Sequence, residues 1–573
     1  LTNSMPSTAS FEKRPELYSL NNGRRTKEQV CTTDPEVIEL ITQTVNEYFD
    51  KYPDAICYSL CPDDNPDFCE CERCRAMDTG AVWERENKPI VTDRYVLFVS
   101  QVAERIQKRH PGKLVSMYAY INHSTPPIYM PVSPYVAVFF TTSVYCGGHG
   151  IGDTRCRSRM EMKSDLSRWA ELCPNMYIYE YDPIPYNAEL PWPLFGARAR
   201  EMPLYRKMGI KGISIEGHCS WATLSPNHWV TAQCLWNADQ SVESLLRDFC
   251  NGFFGQTENP VNNDIATAMF DYYNTLEQAL ARYEPKIEWG LDDIPKIYTP
   301  EIMRACRDSL DKAIHLANER PAGDVKERLA MVDIGFRYLE RYLDCLRMAQ
   351  EGVDFDTFNR AYTDCSKLID QMTATNSDFI EVHSAYPGLG DGLSDIIATQ
   401  YRKESGLVTT WNAIGPFDNV NRRGHDSIYP PELKIDLDAT YNGMEGPVKW
   451  KVISTPEDEG YVNLLDHFSP NEFVTVYALN YLHVDRDVDV QLRIGSNDTL
   501  KVWLGGEQVW EFGSGRPAKL DEDIIPVHLK AGCTPVLLKI SQLGLNWGFY
   551  FRVTDTEGTP EQDVKCTLSP NAE

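Results

Sequence analysis

Between residues 55 and 216 the chain repeats one pattern of apolar and polar positions. A short apolar or aromatic run is followed by a loop rich in Pro, Asp, Asn or His, and in most units by a stretch whose apolar positions recur three and four residues apart. The first kind of run reads as a β-strand and the second as an amphipathic helix. Strands are predicted at 55–60 (AICYSL), 114–120 (LVSMYAY), 136–142 (VAVFFTT), 176–181 (MYIYEY) and 212–216 (GISIE), with helices at 93–109, 163–172 and 197–207. Alternating strands and helices build a parallel α/β fold. The expected architecture is a (β/α)8-type barrel that is incomplete at its N-terminus, because five strands are visible and three more units would have to lie upstream of Leu1.

From residue 227 to 399 the pattern changes to long amphipathic helices, such as 299–320 and 325–351. After residue 407 it changes again, to short alternating runs separated by turn residues, among them WNAIGPFDN, YPPELKIDL, FVTVYALNYLHV and LKVWLGGEQVWEF. That spacing predicts a C-terminal antiparallel β-sandwich, jelly-roll-like in character, with Trp503 and Trp510 on an exposed hairpin. The predicted domains are therefore a catalytic βα-barrel region at 1–230, a helical region at 231–406 and an accessory sandwich at 407–573.

In a parallel barrel the groups that do chemistry sit at the C-terminal ends of the strands. The first strand runs into Asp63 and Asp64, the fourth ends at Glu180 and the fifth at Glu216. Carboxyl groups converging on one face are what glycosidic cleavage needs, one to protonate the leaving oxygen and one to act at the anomeric side. Loops are rich in acids in any protein, so the strand-end position is what singles these four out. Tyr118, Tyr120, Tyr181 and Trp221 lie at or just past strand ends and are candidates to wall a sugar subsite, with His123 and His218 beside them to orient a carboxylate or bind a hydroxyl. Alternating tyrosines in a strand also serve as ordinary packing.

Cys69, Cys71 and Cys74 form a C-x-C-x-x-C block in the loop that follows Asp64, spacing suited to a structural zinc ion, with Cys31 or Cys61 as the fourth ligand. Four thiolates leave no open coordination position, so such a zinc would pin the loop and take no part in catalysis. A disulfide with spare thiols fits the same spacing. The 17 cysteines are scattered over the chain and leave the redox compartment open.

Charge narrows the partners. With 83 Asp and Glu against 56 Lys and Arg, the net charge of −27 repels nucleic acid and anionic membranes and suits a neutral or weakly charged substrate. No run of about 18 apolar residues is present to span a membrane. The opening segment has neither an initiator Met nor a signal-peptide core and reads as a processed or truncated terminus.

The runs RPELYSLNNGRR, QVCTTDPEV, SLCPDDNPDFCECERC, AYINHSTPP and QCLWNADQSVESLLRDFCNGFFG, spread over roughly residues 11–260, resemble the bacterial domain of unknown function 4838. That domain includes the family 163 glycoside hydrolases, endo-β-N-acetylglucosaminidases that act on N-glycans. Asp64 matches the family's acidic position before the cysteine motif, and Asp63 stands where an Asn is common. The resemblance implies a secreted or periplasmic hydrolase with an oligosaccharide or glycoprotein glycan as its partner and no catalytic cofactor. It also implies a substrate-assisted reaction in which Asp63 orients the 2-acetamido group and Asp64 protonates the leaving oxygen, with Glu180 and Glu216 as alternatives for the acid. Two other readings stand beside it: a hydrolase of another glycan, such as an α-glucuronidase-like enzyme, and an inactive glycan-binding protein that keeps the barrel scaffold.

Overall fold

The structure is a computed structural model, and it describes residues 1–21, 23–182, 190–217, 221–255, 263–287, 293–319, 322–375, 393–402, 404–455, 460–543 and 546–571. The chain divides into two compact units, the first residues 1–185 with 191–330 and the second residues 331–573 with the short segment 186–190.

The first unit is built on a five-stranded parallel sheet, β1 (Cys57–Ser59), β2 (Leu114–Ala119), β3 (Val136–Thr141), β4 (Met176–Asp182) and β5 (Gly212–Gly217). The strands lie side by side in chain order, so β1 and β5 are the two edges. This is a parallel half-barrel sheet joined by helices. Helix α1 (Pro35–Lys51) precedes β1; Asp34 caps it by accepting the Glu36 N–H, and Pro35 supplies a preset first turn. Helix α2 (Thr92–Ile106) joins β1 to β2, α3 (Arg157–Leu172) joins β3 to β4, and α4 (Phe195–Met208) joins β4 to β5. Helix α4 stops at Gly209, whose φ of 80° closes the last turn in the left-handed region that glycine adopts without strain.

Side-chain alternation splits the sheet into two faces. Val115, Met117 and Ala119 of β2, Val136, Val138 and Phe140 of β3, and Met176 and Ile178 of β4 are buried. Each of the larger side chains, Val, Ile, Met and Phe, contributes about 1.5–3 kcal/mol by leaving water. The intervening residues Tyr118, Phe139, Tyr177, Tyr179 and Tyr181 are only half-buried and form the other face.

Helices Trp221–Trp236, Val242–Phe254, Asp264–Arg282 and Pro300–Asn318 belong to the first unit, while Phe355–Thr375 and Leu393–Thr399 belong to the second, so the helical stretch divides between the two. The second unit is antiparallel and β-rich. One seven-stranded sheet includes Thr410–Asp418, Val474–Val484 and Gly532–Ser541, and a four-stranded sheet includes Val488–Asn497 and Gly548–Thr554. Trp411, Val476 and Leu538 of the first and Leu492, Phe549 and Phe551 of the second share one hydrophobic core.

Two local expectations need correction here. YPPELKIDL holds a single helical turn at Pro430–Leu433 instead of a strand, since Pro430 and Pro431 have no N–H to give a sheet ladder but suit a helix start. The hairpin Thr499–Leu504 and Glu507–Phe512 forms, turning through Gly505 and Gly506 at positive φ, but its tryptophans do not share a face. Val502 pairs with Trp510, so Trp503 points the other way and is 9% exposed among Tyr477, Leu479 and Leu537, while Trp510 is 36% exposed.

Candidate active site

The open face of the sheet is lined with aromatic rings at and just before the strand ends. Tyr118 on β2 lies 5.1 Å from Tyr179 on β4 and 6.0 Å from Phe139 on β3; Tyr177 stacks on Phe139 at 5.0 Å, and Tyr181 meets Tyr179 edge-on at 5.4 Å. Glu216, half-buried on the neighbouring edge strand, accepts a hydrogen bond from the Tyr179 hydroxyl at 2.8 Å. Burial, and then the Glu216 carboxylate, raise the Tyr179 phenol; burial likewise raises Tyr118 and Tyr181. These phenols therefore stay protonated near neutrality and can donate to hydroxyls or amides. Tyr120 follows β2 and is half-buried, and Trp221, 46% exposed, opens the helix after β5 with its ring 4.6 Å from that of His228. His218 lies outside the described residues.

Glu180 is placed differently. The register of β4 and β5 sets Tyr181 beside Glu216 and Glu180 beside Ile215, so the two glutamates project from opposite faces. Glu180 is 3% exposed and lies 3.0 Å from the Arg198 guanidinium. Thr142 donates to it, and Arg198 also holds Glu201 at 3.0 Å, with Arg159 3.7 Å beyond. Burial pushes the Glu180 carboxyl up against the pull of Arg198. This is a buried network of two Arg and two Glu joining the end of β4 to α3 and α4, on the side away from the tyrosines.

Asp63 and Asp64 follow β1, at the opposite edge of the sheet from Glu216. Asp63 is half-buried and accepts from the Thr2 hydroxyl at 3.1 Å, and burial raises its carboxyl; Asp64 is exposed. Four strand spacings of about 4.8 Å put roughly 19 Å of sheet between β1 and β5, so these acids and Glu216 serve one sugar only across the curvature of the sheet.

His123 sits in the interior instead of the subsite. It is fully buried between Phe68 at 5.4 Å and Tyr95 at 5.0 Å, and neither ring nitrogen has a hydrogen-bond partner among the described residues. Burial alone pushes its pKa down to about 3.

Cys31, Cys69, Cys71 and Cys74 converge, their sulfurs within 4.8 Å of one another, with Cys31 3.7 Å from Cys71 and 3.8 Å from Cys74. A tetrahedron with zinc–sulfur bonds of about 2.3 Å has edges of about 3.8 Å, so the four thiols fit that ion. The Leu20 N–H donates to Cys69 at 3.3 Å, and Arg94 ties the Cys69 carbonyl at 2.7 Å. Cys61 is elsewhere: it continues the open-face side of β1, where the Ser59 hydroxyl donates to its sulfur at 3.1 Å, so Cys31 is the partner that the hairpin Tyr18–Asn21 with Arg24–Val30 delivers to the loop. Tyr177 and Tyr179 join the candidate face without having been singled out in the sequence, although the period-two tyrosines of MYIYEY are a signal for them; Phe139, in VAVFFTT, carries no such signal.

No curated protein matches the chain. Among solved structures, the PA14 domain of the MpAFP antifreeze protein matches at 9% identity over 17% of this chain and 52% of that chain, with a TM-score of 0.15. CpGH89 from Clostridium perfringens, in complex with its substrate GlcNAc-alpha-1,4-galactose, matches at 10% identity over 61% of this chain and 37% of that one, with a TM-score of 0.37. The β-glucosidase from Kluyveromyces marxianus matches at 9% identity over 81% and 51%, with a TM-score of 0.19. The chain thus spans about half or less of each of these structures, and at these scores the likeness carries no argument about reaction or substrate. A family model, described as Domain of unknown function (DUF4838), matches residues 1–266, and over that stretch the chain carries this domain.

Proposed function

We propose that the chain is a glycan hydrolase whose substrate lies on the tyrosine-lined open face of the parallel sheet. The observation that carries this reading is Glu216, a half-buried carboxylate at a strand end, held by the Tyr179 hydroxyl at 2.8 Å beside the rings of Tyr118 and Tyr181. Flat amphipathic rings stack on sugar faces, and a fixed carboxylate among them supplies the charge that an oxocarbenium-like transition state needs. The net charge of −27 favours a neutral sugar over a uronic acid.

The finer assignment is cleavage of β-linked N-acetylglucosamine by substrate assistance. Asp63, half-buried with a raised carboxyl, orients the acetamido group, Asp64 protonates the leaving oxygen, and Glu216 stabilises the sugar from across the face. The four-cysteine zinc site holds the loop that presents Asp63 and Asp64. Secretion or a periplasmic location rests on the family resemblance, and fractionation of the producing cell tests it.

The deciding experiment is glycan release from an N-glycoprotein by the full chain, by Asp64→Asn and by Glu216→Gln. Release by the parent and its loss in both variants supports the assignment. Release by neither parent nor variants, with glycan retained on the protein, replaces the hydrolase by a glycan-binding protein.

A further inference from the structure

The loop from β3 to α3 carries a second convergence of soft ligands, in the run YCGGHGIGDTRC. Cys146, His149 and Cys156 are 0%, 3% and 3% exposed, and their Sγ, ring nitrogen and Sγ atoms lie within 4.8 Å of one another. His149 Nδ1 is 3.1 Å from Cys146 Sγ. Its other nitrogen, Nε2, is 2.5 Å from the Tyr283 carbonyl oxygen, which can only accept. Nε2 therefore carries the proton, and the Nδ1 lone pair turns toward the sulfurs. The Ile287 N–H donates to Cys146 Sγ at 3.2 Å, the backbone contact that stabilises a thiolate.

We propose that Cys146, His149 and Cys156 form a metal site for zinc, separate from the four-cysteine cluster. Two buried sulfurs with an imidazole lone pair turned toward them make the soft donor set that zinc binds. A histidine whose second nitrogen donates to a backbone carbonyl is the arrangement that fixes the tautomer of a metal ligand. Two sulfurs and one nitrogen suit zinc and reject hard cations such as magnesium or calcium, which take oxygen. Binding displaces the two thiol protons to solvent and leaves a fourth tetrahedral position. His149, Gly148 and Gly150 line a cleft of about 500 Å3 with Asp153, Arg155 and Arg200, and a water or small ligand from that cleft fills the position. The site staples the loop that begins at Thr142, donor to Glu180, to the residue preceding α3 and to the 283–287 segment.

The test is metal content of the full chain, purified without chelator and dialysed. The parent is expected to hold one more equivalent of zinc than His149→Phe and than Cys146→Ser with Cys156→Ser, while His149→Cys, which keeps a ligand there, retains that equivalent. Equal zinc in the parent and in a His149→Phe variant with unchanged circular dichroism overturns the proposal, as does a Cys146–Cys156 disulfide in the purified parent. Should the variants fail to fold, alkylation of the parent decides. Cys146 and Cys156 are expected to become labelled only after chelation, and equal labelling with and without chelator rejects the site. Loss of this site leaves the hydrolase reading untouched, since its outcome is read as metal and not as glycan release.

Discussion

Glu180 and Glu216 end adjacent parallel strands yet face opposite sides of the sheet, because Glu180 is in register with Ile215 and Glu216 with Tyr181. Two acids that look equivalent as strand ends are thereby given different work. One lies among tyrosines on the open face, and the other is locked to Arg198 beneath the helices.

Glu216→Gln is expected to lower the rate of glycan release by about 100-fold or more, the scale of a lost catalytic carboxyl, without moving the unfolding midpoint. Tyr179→Phe removes one hydrogen bond to the same group and costs about 1 kcal/mol, or roughly fivefold in rate. Initial rates alongside urea unfolding check both.

Glu180→Gln should act on stability. Removing one carboxylate leaves the buried guanidinium groups of Arg198 and Arg159 sharing Glu201 alone, one charge uncompensated, and costs about 3–5 kcal/mol. Denaturant unfolding that shows a loss below 1 kcal/mol, together with abolished turnover at full folding, would move Glu180 back into the reaction.

His123 makes the fold acid-sensitive. Its pKa is about 3 in the folded chain against the ordinary histidine value of 6.5, so between those values the unfolded chain binds the extra proton. The stability it confers is complete above pH 6.5 and drains away as the pH falls toward 3, by up to about 5 kcal/mol. His123→Phe, packed between Phe68 and Tyr95, should shift the acid-unfolding midpoint to lower pH.

Cys69→Ser should release the zinc proposed for the four-cysteine site and loosen the loop carrying Asp63 and Asp64. Metal analysis would report the loss of one equivalent, and hydrogen exchange would report faster amides at 61–75 with α2 unchanged. Unaltered metal content in that variant would remove the zinc assignment.

Much of this was readable from the chain. The helix Val325–Glu351 begins and ends where its apolar period does, and all five parallel strands lie within a few residues of their apolar runs, because burial under helices demands such runs. What was hidden depends on non-local register. Nothing in MYIYEY says whether Glu180 or Tyr181 will neighbour Glu216; pairing between strands decides it. Likewise Cys31 and Cys61 are equivalent as spacings, and only the hairpin that packs on the loop selects Cys31. His123 ends a strand unit like a subsite residue, but a short 3-10 turn at Ile121–His123 carries it into the interior.

The network of Arg159, Arg198, Glu180 and Glu201 has a consequence for how the protein can change over generations. Replacing any one member strands a buried charge, whereas exchanging the set for apolar residues of similar volume is close to neutral. Single mutational steps are therefore closed at these four positions, and in related chains the quartet should persist whole or vanish whole, inherited as one trait although its members are scattered over three elements of the fold.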